Sequence, residues 1–239
     1  MKLDAREKLL RDCLADCAQT IQLHDPLEIR FAGGWVRDKL LGQQSNDIDA
    51  ALSTLSGKVF GQNFSRFYDE HGAKYRDEAA RQGIANAELS KIVLVEEDAE
   101  KSKHLAVAKM KLFGLEVDLV NLRTEVYASD SRTPVVQIGT PEEDAMRRDA
   151  TINALFYNIH TGQVEDFTGK GLDDLRNGIM RTPLEPLQTF ADDPLRVLRL
   201  IRFASRLGFA VDEAAQEAMK APSVHQALKL KISRERVRA

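Results

Sequence analysis

The sequence predicts a mixed α/β domain over residues 1–160, followed by an all-helical domain over residues 161–239. Three observations carry this reading. Short apolar runs alternate with amphipathic stretches through the first part. Two alternating runs, 105–113 and 116–122, flank Gly114 as a hairpin would. From residue 192 onward apolar residues recur at helical spacing, with Gly208 ending one helix and Pro222 interrupting the next.

The elements follow in order. Residues 4–22 read as an amphipathic helix, with Leu9, Leu10, Cys13, Cys17 and Ile21 at helical spacing. A short strand at 28–32 runs into Gly33-Gly34 and a helical piece at 35–41. The next strand lies within 45–52 and carries Asp47-Ile48-Asp49. Residues 59–68 are helical, with Phe60, Phe64, Phe67 and Tyr68 in the core, whereas 74–90 are polar and mixed and take no assignment. A strand at 91–95 leads to a charged stretch, 96–103, expected to be a mobile loop. Thr140 can cap a helix, Pro141 suits its first turn and Glu143 completes a capping box, so a helix is expected to run to about Tyr157. His160-Thr161-Gly162 is a turn, 164–167 a short strand, and 169–178 a loop with a brief helix.

Composition narrows the function classes. Hydrophobic residues at 43% and charged residues at 30% are ordinary for a globular chain, and 239 residues can bury a sizeable core. A formal net charge of −3 gives no global basic field, so RNA would have to bind through local patches. One such patch closes the chain: Lys220, Lys229, Lys231, Arg234, Arg236 and Arg238 against Glu235. Cys13 and Cys17 make a poor zinc site by themselves and fit a reducing compartment. No apolar run approaches membrane-spanning length, and residues 1–8 mix Lys and Arg with Asp4 and Glu7, unlike a secretory or transit signal. The expected location is intracellular, in the cytoplasm and/or nucleus, with a mitochondrial one left open, and no membrane partner is expected.

The sharpest chemical feature is Gly33-Gly34-Trp35-Val36-Arg37-Asp38 followed by Asp47-Ile48-Asp49. Strand side chains alternate faces, so Asp47 and Asp49 point the same way. Adjacent carboxylates repel unless a cation sits between them, and hard oxygen donors suit Mg²⁺, which also holds phosphates and water. Glycines let backbone N–H groups approach a triphosphate closely, and Arg37 can add a charge-assisted contact. A lone Asp-x-Asp is more often an exposed strand edge. Behind a Gly-Gly-x-x-Arg-Asp turn the signal is strong. Asp118, on the strand Glu116-Val117-Asp118-Leu119-Val120, would join the pair if its strand neighbours theirs, and Glu116 shares its face. Farther on, Arg196, Arg199, Arg202 and Arg206 fall on one helical stripe, with Val197, Leu200, Ile201, Ala204 and Leu207 opposite. Asp193 lies three before Arg196. That pair offers a carboxylate acceptor and a guanidinium fork on one face of the helix.

These residues resemble a known family. The run from Gly33 to Gly42 with Asp47-Ile48-Asp49 is similar to the first motif of the class II tRNA nucleotidyltransferases and the bacterial poly(A) polymerases. Arg147-Arg148-Asp149-Ala150-Thr151-Ile152-Asn153 resembles their second motif, which implies that Arg147, Arg148, Asp149 and Asn153 position the sugar. Asp192-Asp193-Pro194-Leu195-Arg196 resembles the base-reading motif, although the family usually begins it with Glu-Asp. That departure falls at the first position and leaves Asp193 and Arg196 in place. The resemblance also puts Arg199 and Arg202 around the nucleotide. Ser102-Lys103-His104-Leu105 and the run from Val117 to Arg123 look closest to eukaryotic members.

The resemblance implies an α/β (α+β) nucleotidyltransferase head with a mixed β-sheet, then a helical neck. The implied activity is Mg²⁺-dependent addition of CMP and AMP, from CTP and ATP, to the 3′ end of tRNA, releasing pyrophosphate. Gly33, Gly34 and Arg37 would hold phosphates, Asp47 and Asp49 the metal, and Asp118 would assist. The alternatives are a poly(A) polymerase, a specialist adding only CC or only A, or a non-catalytic RNA-binding fragment, which would have no need of Asp47 and Asp49 together. The run from Lys231 to Val237 resembles the last neck motif. Family members continue into body and tail domains that grip tRNA, so the expectation for this chain is weak tRNA binding by itself.

Overall fold

The computed structural model describes residues 1–95, 107–126 and 135–232, and the chain clusters as two units. One comprises Met1–Arg123, Gln137–Thr140 and Phe156–Glu165; the other comprises Thr124–Val136, Pro141–Leu155 and Asp166–Ala239. Residues 96–106, which contain the expected mobile loop and Ser102-Lys103-His104-Leu105, lie outside the described residues. So do 233–239, with Arg234, Glu235, Arg236 and Arg238.

In the first unit, Asp4 opens helix α1 (Ala5–Thr20) with a capping box: its carboxylate accepts from the Glu7 amide at 2.9 Å, and Glu7 accepts from the Asp4 amide at 2.6 Å. Strand β1 (Ile29–Ala32) leads through the glycine turn into α2 (Gly34–Leu40), then β2 (Asp47–Leu52). Helices α3 (Gly57–His71) and α4 (Ala73–Arg81) precede β3 (Val93–Val95), β4 (Val107–Leu112) and β5 (Leu115–Asn121). A separate two-stranded ribbon pairs β6 (Arg123–Val126) with β7 (Val135–Ile138). With β8 (Leu155–Asn158) and β9 (Val164–Asp166), the main sheet has the order β3-β4-β5-β2-β1-β8-β9. It is mixed: β2 and β5 run parallel, while β1/β2, β1/β8, β3/β4 and β4/β5 are antiparallel.

Phe60, Phe64, Phe67 and Tyr68 are buried as expected. The α3 helix lies close to the sheet at Gly61, where a Cβ would come within 3.2 Å of Ala108. Cys13 and Cys17 are free and buried in α1, and burial pushes the Cys17 thiol up to about 12. Lys39, on α2, reaches back to the buried Glu7 carboxylate at 2.7 Å.

The second unit holds α5 (Pro141–Met146), a 3₁₀ turn at Thr151–Asn153, α6 (Gly171–Asn177) and β10 (Ile179–Met180). Then come α7 (Pro186–Asp192), α8 (Leu195–Leu207), β11 (Ala210–Val211), α9 (Glu213–Lys220) and α10 (Pro222–Lys231). Gly208 ends α8 in a left-handed cap, φ 70°, and Pro222 opens α10.

Three sequence expectations are corrected. The helix opened by Pro141 stops at Met146 and does not reach Tyr157. Leu155–Asn158 is a fully buried strand that pairs antiparallel with β1, a place that suits Phe156 and Tyr157. The region after residue 192 is not wholly helical, because the left-handed turn at Gly208 lets the Ala210 amide bond the Gly178 carbonyl at 2.8 Å and pair β11 with β10. Ile201, expected opposite the arginine stripe in the core, is 49% exposed. The unassigned polar stretch contains α4, which buries only Tyr75 and Ala79 and so shows a weak apolar signature.

Candidate active site

The first group of candidate residues lies in the sheet unit. Gly33 caps α2 at φ 68°, ψ −126°, a conformation only glycine adopts without strain. Arg37 is buried beneath this turn. Its Nε lies 2.7 Å from the Asp38 carboxylate and a terminal nitrogen 2.6 Å. A Cβ on Gly34 would stand 3.5 Å from that guanidinium.

Strand β2 alternates exposed, buried, exposed over Asp47, Ile48 and Asp49, so the two carboxylates share a face. The parallel register sets Glu116 opposite Asp47 and Asp118 opposite Asp49. Asp118 is therefore on the strand next to the pair, the condition on which its role depends. Its side chain is 31% exposed against 54% for Glu116. On β4, Lys109 is in register with Asp118 and forms an ion pair with it, and Lys111 does the same with Glu116. The bond to Asp118, opposed by desolvation and reinforced by Asp49 and Glu116, raises the Lys109 ammonium above its ordinary value. Asp47, Ile48, Asp49, Lys109, Glu116 and Asp118 line a cleft of about 280 Å³.

This donor set suits Mg²⁺, which binds through one or two carboxylates and completes its shell with water and phosphate oxygens. It does not suit a metal needing an all-protein cage, since no group of three or more His, Cys, Asp or Glu converges among the described residues.

The second group lies in the other unit. Asp144 and Glu125 are buried carboxylates that neither motif spacing nor the resemblance indicated. Asp144 accepts from Arg147 at 2.7 Å and Arg148 at 2.9 Å. Glu125 accepts from Arg147 at 2.9 Å with one oxygen and from Arg196 at 3.2 Å with the other. Asp149 accepts from Asn153 at 2.9 Å and from Arg199 at 2.6 Å. Burial pushes the Asp149 carboxyl up, but Arg199, Asn153 and Arg196 outweigh it and hold the group below its ordinary value. The Asp193 carboxylate accepts from the Leu195 amide at 3.1 Å, where α8 begins. Arg199 and Arg202 stand 5.5 and 5.4 Å from the Phe203 ring centre, and Arg202 is exposed.

Thus Asp47, Asp49 and Asp118 share one sheet face in the first unit, and Arg147, Arg148, Asp149, Asn153, Arg196 and Arg199 share a charged network in the second. Reasoning from sequence missed Lys109, Glu125 and Asp144. Lys109 was open to discovery, since alternation along β4 puts it on the face of the acids. Asp144 stands three and four before Arg147 and Arg148, a helical spacing that could have flagged it. Glu125 carried no local signal, because its partners are 22 and 71 positions away.

A mixed sheet carrying a glycine turn and an Asp-x-Asp strand is the head of a nucleotidyltransferase. The Poly A polymerase head domain family matches residues 29–181, and the chain belongs to that family. Nucleotidyltransferases of this family typically use a divalent metal.

The mitochondrial CCA tRNA nucleotidyltransferase of Saccharomyces cerevisiae is 54% identical over 213 residues, covering 89% of this chain and 37% of its own. The nucleotidyltransferase lcsQ of Purpureocillium lilacinum is 53% identical over 241 residues, covering 99% and 39%. A solved CCA-adding enzyme in complex with CTP has the same fold at 24% identity and a TM-score of 0.68, covering 99% of this chain and 46% of its own. The chain thus spans about two fifths of the length of the curated relatives it matches. Among the described residues no helix is long and apolar enough to cross a membrane.

Proposed function

We propose that this chain carries the catalytic part of a tRNA nucleotidyltransferase that adds CMP and AMP, as CCA, to the 3′ end of tRNA from CTP and ATP. The observation that carries the reading is the register of Asp49 with Asp118 beside Asp47, on one face lining a cleft. Relatives above 50% identity named as CCA tRNA nucleotidyltransferases support it. Two of these are named mitochondrial, which favours a mitochondrial setting over the cytoplasm or nucleus.

In this reading the tRNA 3′ hydroxyl attacks the α-phosphorus and gives its proton to water, a new O–P bond forms, the bond from that phosphorus to the oxygen bridging the β-phosphate breaks, and pyrophosphate leaves. Asp47 and Asp49, with Asp118 assisting, would hold Mg²⁺, which would supply positive charge at the phosphates and the attacking hydroxyl. Gly33 and Gly34 bring backbone amides to the triphosphate, and Arg37, held by Asp38, adds positive charge beneath them. Arg147, Arg148, Asp149 and Asn153 orient the sugar. Asp193 and Arg196 read the base, with Arg199 and Arg202 around it. We assign the head to residues 1–160 and a mainly helical neck to 161–239, with Pro141–Leu155 clustering in the second unit.

The test is incubation with tRNA lacking CCA, Mg²⁺ and each nucleotide, with product sizing. Two additions from CTP followed by one from ATP are expected. Repeated addition of AMP alone would make the chain a poly(A) polymerase. No extension, with the fold intact, would leave a binding fragment.

A further inference from the structure

We infer that Glu125 is a positioning residue for base selection, acting through Arg196; this rests on the nucleotidyltransferase reading above. Its side chain is 6% exposed, and its two oxygens are divided between Arg147 and Arg196. The proposed function gives those arginines different tasks, one at the sugar and one at the base. A single buried carboxylate holds both.

A guanidinium is a planar fork, so a partner on one amino group fixes the plane and aims its remaining N–H groups. Arg196 receives that partner from Glu125, from outside its own helix. Burial strengthens the restraint, because Arg196 is 8% and Arg147 17% exposed in their side chains, where water competes weakly. Finally, Arg147 is held on its far side by Asp144, which also binds Arg148, so Glu125 is braced against a fixed arginine. Glu125 therefore helps to set the aim of Arg196, whose charge also acts on Asp149, while Asp149 anchors Arg199 one turn farther along α8.

The experiment compares the unmodified chain with Glu125→Gln for incorporation of CTP, ATP, UTP and GTP, resolving kcat and KM. The glutamine keeps the shape but turns N–H donors toward an arginine. Incorporation of UTP and GTP relative to CTP is expected to rise about tenfold, the size of one good base contact. A purely structural role would lower all four nucleotides alike, and that result, with normal melting, overturns the inference. Glu125→Asp provides a second measurement should the glutamine chain not fold: its charge remains but it cannot reach both arginines, so discrimination falls by an intermediate amount. Unchanged discrimination in the aspartate chain also overturns the inference. An unmodified chain that takes all four nucleotides alike removes the nucleotidyltransferase reading, and the inference with it.

Discussion

Asp49 and Asp118 stand directly opposite each other across the parallel pair β2–β5. Side chains in register on neighbouring strands share a face at close range, so the two carboxylates repel unless a cation intervenes. In the structure the cation beside Asp118 is the Lys109 ammonium. The exposed face and its charge balance lead to the first two predictions.

Asp49→Ala should reduce single-turnover transfer by at least about a hundredfold, because metal-mediated charge stabilisation is worth several kcal/mol. Thermal melting should not fall, since Asp49 is exposed and lies on the face of like charges. Activity close to that of the unmodified chain would remove Asp49 from the metal site.

Lys109→Met should tighten Mn²⁺ binding, read by calorimetry without nucleotide, about two- to fivefold. The ammonium competes for Asp118, and an exposed ion pair is worth up to about 1 kcal/mol. Equal or weaker binding would show that Lys109 helps to assemble the site and does not compete with the metal.

Asp149→Asn tests the second unit through pH. The folded carboxyl lies below its ordinary value of 3.8, so its stabilisation is present above that pH and disappears as pH falls through the lower, folded value. The asparagine chain should lose about 2 kcal/mol at pH 7 because Arg199 and Asn153 lose a charged partner. It should also show a shallower decline below about pH 4. Parallel stability curves for the two chains at all pH values would refute this account.

Glu7→Ala should lower the melting temperature where Asp49→Ala does not. It removes one half of the α1 capping box and leaves Lys39, 14% exposed, without its carboxylate. A loss of about 3 kcal/mol is expected from a broken buried pair and cap, measured by denaturant unfolding. A loss below about 1 kcal/mol would mean that water replaces the pair.

Where function depends on local spacing, it could be read from the sequence. The alternation of Asp47, Ile48 and Asp49, the glycine turn, the hairpin about Gly114 and the caps at Gly208 and Pro222 each follow from a few adjacent residues. What depends on distant partners could not. Leu155–Asn158 follows a strong helix start, and only its neighbours β1 and β9 make it a strand. Glu125 looks like any strand carboxylate until Arg147 and Arg196 fold around it.

The parallel pairing of β2 and β5 has a further consequence. It joins positions roughly seventy residues apart, and closing so long a loop is costly before the contact rewards it. The acid pair opposite Asp118 is therefore a late product of folding. A growing chain that has emerged only as far as β4 holds Asp47 and Asp49 without their third carboxylate, on a strand that has β1 on one side and no partner yet on the other. Divalent-ion uptake during synthesis should then mark the moment when β5 docks, so the chain acquires its chemistry only after the sheet has closed around it.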